Sequence, residues 1–157
     1  MKIKIIAIGK TQKAFLEAGE KEYLKRLKRY IQVETTVIPD IKNTKNKSTE
    51  QLKQEEGRLI LDQIESGGLV ILLDEKGKQY PSKEFANWLQ NRMNRGLKQL
   101  TFVIGGPYGF SEEVYTAANE KLSLSKMTFS HQMVRMLFLE QLYRGFTILR
   151  NEPYHHE

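Results

Sequence analysis

Apolar and polar positions alternate along the chain in blocks, and the blocks predict strands and helices in turn. Short, strongly apolar runs of four to six residues predict strands because they are too short for buried helices. A still briefer run beside several serines predicts a fifth strand. These runs cover residues 3–8, 33–38, 69–73, 100–104 and 122–124.

Segments with helical spacing of apolar residues lie between the predicted strands. Three- and four-residue spacing predicts helices over residues 15–30, after Ser48, after Ser82, after Ser111 and from 130 to about 150. Strands that are apolar on both faces are typical of parallel sheets covered by helices. The pattern therefore predicts one α/β domain, residues 1–157, with an open and mostly parallel sheet and helices on both faces.

The last predicted helix is apolar nearly all round, from Met133 to Leu149. A helix with apolar residues on every face is normally buried. Two kinds of burial fit this helix equally well: packing inside its own core, or packing against a second subunit.

Composition narrows the class of protein. The chain has no cysteine, which excludes disulfides and thiolate metal sites and favours a reducing cytoplasm. No apolar run approaches the length of a membrane span.

The formal net charge of +6 favours an anionic partner such as nucleic acid. The lysine-rich loop 41–47 fits either a solvated loop or a phosphate contact.

A glycine-rich turn, IGGPYGF, follows the strand predicted at residues 100–104. Ligands of open parallel sheets collect beyond the carboxyl ends of the strands. Gly105, Gly106 and Gly109 fit either a tight turn or the close approach of a flat ligand to the backbone. Dinucleotide-binding and phosphate-loop motifs are absent, as are the common motifs of zinc proteases and serine hydrolases.

The segment LSLSKMTFSHQMVR, residues 122–135, mixes small hydroxyl residues with apolar ones. If a helix begins near Ser130, His131 and Arg135 share one face at i, i+4 spacing. The terminal NEPYHHE places histidines at positions 155 and 156. Two adjacent histidines without further ligands make a weak metal site, so no metal is expected.

Three stretches carry a resemblance to a known family: VIGGPYG, LSLSKMTFSHQMVRMLFLEQLYRGF and the terminal NEPYHHE. Together they resemble the RlmH family, ribosomal RNA large subunit methyltransferase H. The segments MKIKIIAIGK, EYLKRL and LLDEKGK fit the same family. The resemblance follows the chain in order from end to end, except that the loop 41–47 and the helix after it match no pattern.

The resemblance implies a fold and an activity. Members of the family are SPOUT-class methyltransferases that transfer a methyl group from S-adenosyl-L-methionine to N3 of a pseudouridine in 23S rRNA. The resemblance also implies that the protein is a cytoplasmic homodimer. The C-terminal part, about residues 69–157, would be tied in a trefoil knot that forms the cofactor pocket.

The resemblance also implies the cofactor-binding residues. Leu73 would pack on adenine, and Gly105 would let the backbone approach adenosine. A third segment would wrap the nucleoside with backbone donors and acceptors. This segment consists of Leu124, Ser125, Lys126, Met127, Thr128 and Phe129.

Methyl transfer from a sulfonium is an in-line displacement that needs no metal and depends on positioning. Because N3 of pseudouridine carries a proton, the reaction also needs a base or a cation that stabilises the anion. We expect Arg135 to supply the electrostatic stabilisation. Tyr154 and His155 would position the substrate or remove the proton, and His131 is a further catalytic candidate. Arg144 is a candidate for contact with RNA phosphate.

Two other functions stay open on the residues alone. The basic first half also fits a non-catalytic RNA-binding factor of the ribosome, although this leaves the glycine turn unexplained. A nucleotide-binding enzyme of another chemistry is the third reading, and the missing phosphate motifs count against it. Saturable binding of S-adenosylmethionine separates the methyltransferase from both.

Overall fold

The chain folds into five strands and five helices, and the computed structural model describes all residues, 1–157. The strands are β1 (Lys2–Ile8), β2 (Gln32–Ile38), β3 (Leu69–Lys78), β4 (Gln99–Ile104) and β5 (Glu120–Leu122). The helices are α1 (Ala14–Leu27), α2 (Thr49–Gln63), α3 (Ser82–Asn94), α4 (Glu112–Ala117) and α5 (Met133–Leu149). A single 3-10 turn, Thr44–Asn46, precedes α2.

All five strands pair in parallel and form one sheet in the order β2-β1-β4-β3-β5. Helices α1, α3 and α5 cover one face of the sheet, where α5 packs between α1 and α3. Helices α2 and α4 cover the other face. The predicted α/β class, with a parallel sheet between two helical layers, is confirmed.

The central strands divide their side chains between two cores because successive residues of a strand point to opposite faces. On β4, Phe102 and Ile104 belong to the core under α1, α3 and α5. Val103 belongs to the core under α2 and α4, together with Ile6 and Ile8 of β1. Burial on both faces explains why these strands are apolar at consecutive positions.

Two strand boundaries were predicted wrongly. Strand β3 continues to Lys78, although the sequence predicted a strand that ends at residue 73, and β5 lies two residues earlier than predicted. The extension of β3 lies beside β5: Lys78 pairs with Leu122 after an irregularity in the register. The pairing is a tertiary contact, which the local polar sequence does not reveal.

Helix starts were predicted with mixed success. The side chains of Ser48 and Ser111 cap α2 and α4 as expected, the first in a capping box with Gln51. Ser82 was predicted to cap α3, but it is the first residue of that helix, and Pro81 holds the cap position. Proline suits this place because its fixed φ leads into a helix.

Helix α5 begins at Met133, three residues later than predicted. Serine hydroxyls before it bond the local backbone: Ser125 accepts from the N–H of Met127, and Ser130 from the N–H of Gln132. Such bonds compete with helix formation, so the segment stays a loop. The helix itself is buried largely in its own core, against α1 and α3.

Candidate functional site

A cavity of about 350 Å³ opens at the carboxyl ends of β4 and β5, beside the C-terminal half of β3. One strand segment and two loops form its walls. The strand segment is residues 74–76 in the extension of β3, and the loops are residues 105–110 after β4 and residues 124–131 before α5. Parallel strands end on the same side of a sheet, so the topology brings these distant segments together.

One side of the cavity is apolar. Leu73 of β3 and Ile104, the last residue of β4, lie there, and Leu124, Phe129 and Val134 face them from the last loop and α5. An apolar surface between strand ends suits a flat and weakly hydrated group such as a nucleobase.

The other side of the cavity carries polar side chains that are already bonded to each other. The Tyr115 hydroxyl donates to Oδ2 of Asp74 at 2.5 Å. The Thr128 hydroxyl donates to Oε2 of Glu75 at 2.7 Å, which ties the last loop to β3. Burial, and then the bond to Asp74, raise the pKa of Tyr115, so its hydroxyl stays protonated at neutral pH.

Two glycines of the turn have no room for a side chain, because other groups occupy the space that a Cβ atom would need. A Cβ atom on Gly105 would lie 3.0 Å from the ring of Phe110, and one on Gly106 would lie 2.9 Å from Oε1 of Glu56. Gly109 has φ +82, which favours glycine on its own. The turn is therefore both tight and closely packed, and its backbone forms part of the cavity wall.

Glu56 of α2 lies behind the glycine turn with only 4% of its surface exposed. Its Oε2 is buried and has no hydrogen-bond partner. Burial, and after it the Asp40 carboxylate, raise the pKa of Glu56 to about 7. Nothing in the sequence pattern marked this residue, since a glutamate on an amphipathic helix normally faces solvent.

Seven of the eight cofactor-binding residues suggested by the resemblance line this one cavity. They are Leu73, Gly105, Leu124, Ser125, Met127, Thr128 and Phe129. Lys126 is exposed and does not line the cavity. Asp74 and Tyr115 also line it, although the sequence analysis did not single them out.

The two candidates that share a predicted helix face are separated in the structure. His131 lines the cavity, whereas Arg135 is buried at 5% exposure on another side of the helix. Its Nη1 donates to the carbonyl of Gly9 at 2.6 Å, and its Nη2 donates to the carbonyl of Ile8. The i, i+4 relation failed because α5 starts after His131. Arg135 therefore secures the end of β1 and does not reach the cavity of its own chain.

The remaining two candidates lie in the C-terminal tail, which folds against the middle of α5. His155 Nδ1 is 3.1 Å from Nη1 of Arg144, and the hydroxyl of Tyr154 donates to Oε1 of Glu140 at 3.0 Å. Arg144 also bonds Glu140 at 2.6 Å and lies over the Tyr154 ring. The i, i+4 spacing of Glu140 and Arg144 in LEQLYR was the one signal that could have pointed to Glu140.

The tail cluster, defined as Glu140, Arg144, Tyr154 and His155, does not line the cavity of the same chain. Burial, followed by the hydrogen bonds of its hydroxyl with Tyr23 and Glu140, raises the pKa of Tyr154. Its hydroxyl is therefore held as a proton donor at neutral pH.

None of the five helices combines the length and the apolar character that a membrane-spanning helix requires.

A cavity with one apolar and one polar side at the edge of a parallel sheet is typical of α/β proteins that bind a small molecule. Residues 1–155 match the family model described as "Predicted SPOUT methyltransferase". The chain belongs to the SPOUT methyltransferase family.

Similar proteins extend along the whole chain and share one name, "Ribosomal RNA large subunit methyltransferase H". The protein from Christiangramia forsetii is 61% identical over 156 residues, which cover 99% of each chain. Those from Flavobacterium johnsoniae and Parabacteroides distasonis are 59% and 57% identical over the full length of both chains. The resemblance stated from the sequence is confirmed.

A solved structure supports the fold. It is described as a probable methylase family protein from Haemophilus influenzae Rd KW20, with a TM-score of 0.54 and 14% identity. The match covers 99% of this chain and 70% of the other.

Proposed function

We propose that this enzyme transfers a methyl group from S-adenosyl-L-methionine to N3 of a pseudouridine in 23S rRNA. Full-length relatives named for methylation of large-subunit ribosomal RNA support the substrate class. The observation that carries the proposal is the convergence of seven expected cofactor residues on one cavity. The net charge of +6 suits an RNA substrate.

The cavity fits the nucleoside part of this cofactor. Its volume of about 350 Å³ lies in the range of small-molecule sites, and its lining joins an apolar side to a polar one. Leu73 and Phe129 would hold the adenine between them. The glycine turn at 105–106 lets the ligand touch backbone where a Cβ atom has no room. The contribution of Lys126 would be limited to its backbone, because its side chain is exposed.

When bound, the cofactor supplies an electrophilic methyl group on a sulfonium. The task of the protein is then to hold N3 of the acceptor in line with that methyl group and to remove the N3 proton. His131 is the candidate at the cavity itself. An uncharged imidazole at neutral pH can accept a proton, which makes His131 a candidate base.

We further infer that two copies of the chain form a homodimer, in which the tail of one copy completes the cavity of the other. In a single chain, Tyr154 and His155 lie away from the cavity, against α5. Apolar side chains stand exposed around the cavity mouth, among them Met127 at 78% and Met133 at 38%. Beside them lies a largely apolar groove of about 220 Å³. A second copy covering this surface would bury it and bring a second tail.

In this arrangement the tail cluster supplies the charged groups of the reaction. The guanidinium of Arg144 would stabilise negative charge on the acceptor base. Tyr154, whose hydroxyl is a proton donor, would position the base, and His155 would position the base or remove the proton. We assign the electrostatic role expected for Arg135 to Arg144, because the guanidinium of Arg135 is hydrogen-bonded to the carbonyls of Ile8 and Gly9 at the end of β1.

The proposal extends to the organisation and place of the molecule. Residues 1–157 form one domain, and the trefoil knot within about 69–157 stays a prediction. A ribosomal RNA substrate supports a cytoplasmic location for the enzyme.

The decisive experiment is transfer of labelled methyl from S-adenosylmethionine to ribosomes of a strain that lacks this protein. Assembled ribosomes, isolated large subunits and naked rRNA are tested side by side, and the modified nucleotide is mapped. We expect label at a single pseudouridine. Labelling of another base, or none on any substrate, would contradict the proposal.

A matched pair of variants ties the activity to the cavity. Gly105→Val would drive a side chain into the ring of Phe110 and narrow the cavity, so both cofactor binding and transfer should fall below a tenth of wild type. Leu59→Ser, on the exposed face of α2, should retain both.

A further inference from the structure

The polar side of the cavity presents one carboxylate that the protein holds rigidly. Oδ2 of Asp74 accepts the hydroxyl of Tyr115 at 2.5 Å, and Oδ1 accepts the backbone N–H of Lys76 at 2.9 Å. Because the two bonds lie on different oxygens, the carboxylate cannot rotate without breaking one. A group fixed in this way is preorganised for a ligand.

The two donors leave Asp74 with unused acceptor capacity. A carboxylate has about four lone-pair sites, and two are occupied here. One free site stays on each oxygen. Asp74 lines the cavity and forms no ion pair with a lysine or arginine that would use these sites. A pair of adjacent acceptors matches a pair of adjacent hydroxyls, which in nucleosides is the cis-diol of ribose.

The position of Asp74 in the sequence also fits a sugar. It follows Leu73 directly, and Leu73 belongs to the apolar side of the cavity where a base would lie. A ligand with its base on Leu73 therefore carries its ribose beside the next residue. An acidic residue that accepts from ribose hydroxyls near the end of a parallel strand is a recurrent solution in nucleotide-binding sheets.

We propose that Asp74, oriented by Tyr115, accepts hydrogen bonds from the ribose hydroxyls of the bound cofactor. The inference rests on the proposed use of S-adenosylmethionine and names a binding residue and a positioning residue for it. Asp74 contacts the sugar, whereas Tyr115 acts only through Asp74. The ammonium group of the amino-acid part is the competing donor, because its three N–H groups can also bond a carboxylate, and a ligand that lacks it separates the two.

The test is calorimetric titration of the full-length protein with S-adenosylhomocysteine and its 2′-deoxy and 3′-deoxy analogues. In the wild type, removal of either hydroxyl should weaken binding about 10-fold or more, as expected for a bond to a charged group. Asp74→Asn should weaken S-adenosylhomocysteine by a similar factor. In that variant the deoxy analogues should bind nearly as well as the parent ligand.

Two further variants separate the roles. Tyr115→Phe leaves the carboxylate in place but frees it to rotate, so it should weaken the parent ligand by a few-fold, less than Asp74→Asn. Glu112→Gln removes a nearby negative charge at the exposed start of α4 and should leave every affinity as in the wild type. Thermal melting establishes that each variant is folded, and the analogue series on the wild type needs no variant.

A ligand without the amino-acid part decides between ribose and ammonium. Methylthioadenosine keeps the diol, so it should lose as much affinity in Asp74→Asn as S-adenosylhomocysteine does. No loss with methylthioadenosine would assign Asp74 to the ammonium and overturn the inference. Equal penalties for the deoxy analogues in wild type and Asp74→Asn would overturn it too, with the methyltransferase intact. Failure of the wild type to bind S-adenosylmethionine at all would overturn both proposals.

Discussion

At the scale of single residues, Arg135 joins two ends of the chain that are far apart in sequence. Its guanidinium bonds the carbonyls of Ile8 and Gly9, the last of β1 and the first residue beyond it. The Thr11 hydroxyl accepts a longer hydrogen bond from the same guanidinium and donates one to the carboxylate of Glu20 in α1. Burial lowers the pKa of Arg135, and the carboxylates of Glu20 and Asp40 partly restore it.

Loss of this guanidinium should therefore be felt as lost stability. Arg135→Met keeps the buried stem but leaves two carbonyls without their donor, so we expect the free energy of unfolding to fall by roughly 2–4 kcal/mol. Urea denaturation measures the change. Arg150→Met, at the exposed end of the same helix, should shift it by no more than about 0.5 kcal/mol.

An opposite result for Arg135→Met would also be informative. Wild-type stability together with abolished methyl transfer would return Arg135 to the catalytic role that its sequence position suggested.

Glu56 makes stability depend on pH in a direction opposite to that of most carboxylates. Its pKa is about 7 in the folded protein and near 4.5 when exposed in the unfolded chain. The folded state thus binds the proton more tightly. The contribution of Glu56 is complete below pH 4.5 and is lost as pH rises through 7.

Glu56→Gln should remove this dependence because glutamine stays neutral and nearly isosteric. We expect the variant to match wild type near pH 5 and to exceed it by about 1–3 kcal/mol near pH 8. Denaturation at a series of pH values measures the difference. Asp62→Asn, on the exposed face of α2, should give a difference that is constant over this range. A constant difference for Glu56→Gln as well would show that folding does not shift the pKa of Glu56.

At the scale of elements, the pairing of β3 with β5 builds one wall of the cavity. The extension of β3 passes so close to β5 that a Cβ atom on Gly77 would lie 2.6 Å from the carbonyl carbon of Lys121. Backbone atoms cannot move aside as a flexible side chain can. Glycine is therefore required here for space, and its φ is not in the left-handed region.

Gly77→Ala should separate the two strands and displace the loop that carries the cavity residues. We expect a loss of about 2–4 kcal/mol in unfolding free energy, together with weaker cofactor binding. Thermal melting and calorimetric titration measure the two effects.

The control for this variant is Gly67→Asn. Gly67 has φ +87 and open space around its missing Cβ, and asparagine tolerates that conformation. Its cost should be smaller and should leave cofactor affinity unchanged. Equal costs at both positions would mean that the strands adjust without strain.

Local patterns predicted what local forces determine. The apolar runs located all five strands, and the hydroxyl side chains of Ser48 and Ser111 marked two helix starts. The extension of β3 was missed because pairing with β5 stabilises it, against a polar sequence. The partners of Arg135 were missed because they lie more than 120 residues away. The cavity residues came from the family resemblance, since spacing alone left the glycine turn ambiguous.

At the scale of the whole molecule, the layer of α1, α3 and α5 covers one of the two cores and also packs against the C-terminal tail. Helix α5 lies between α1 and α3, and the C-terminal tail returns along it. The last residue, Glu157, pairs with Lys83 at the start of α3 at 2.7 Å. Met127, Phe129 and Met133 stand exposed beside this layer, next to the cavity.

If a second copy covers these side chains, charge at their centre should disrupt the pair. Met133→Lys should weaken self-association at least 10-fold, since a buried unpaired lysine is costly. Sedimentation analysis measures the dissociation constant. Leu59→Lys, an equally exposed position on α2, should leave self-association unchanged. A wild-type protein that sediments as a monomer at micromolar concentration would contradict the proposed dimer.

The place of α5 between α1 and α3 has a consequence for the order in which the chain can fold. Helix α1 is made early, but the helix that packs beside it on the sheet is the last to leave the ribosome. Until then, apolar residues of α1 such as Leu16 and Leu27 lack part of their final environment. Contacts between such distant segments close late and slow folding. We therefore expect the nascent N-terminal half to be the stage at which this protein is most exposed to aggregation.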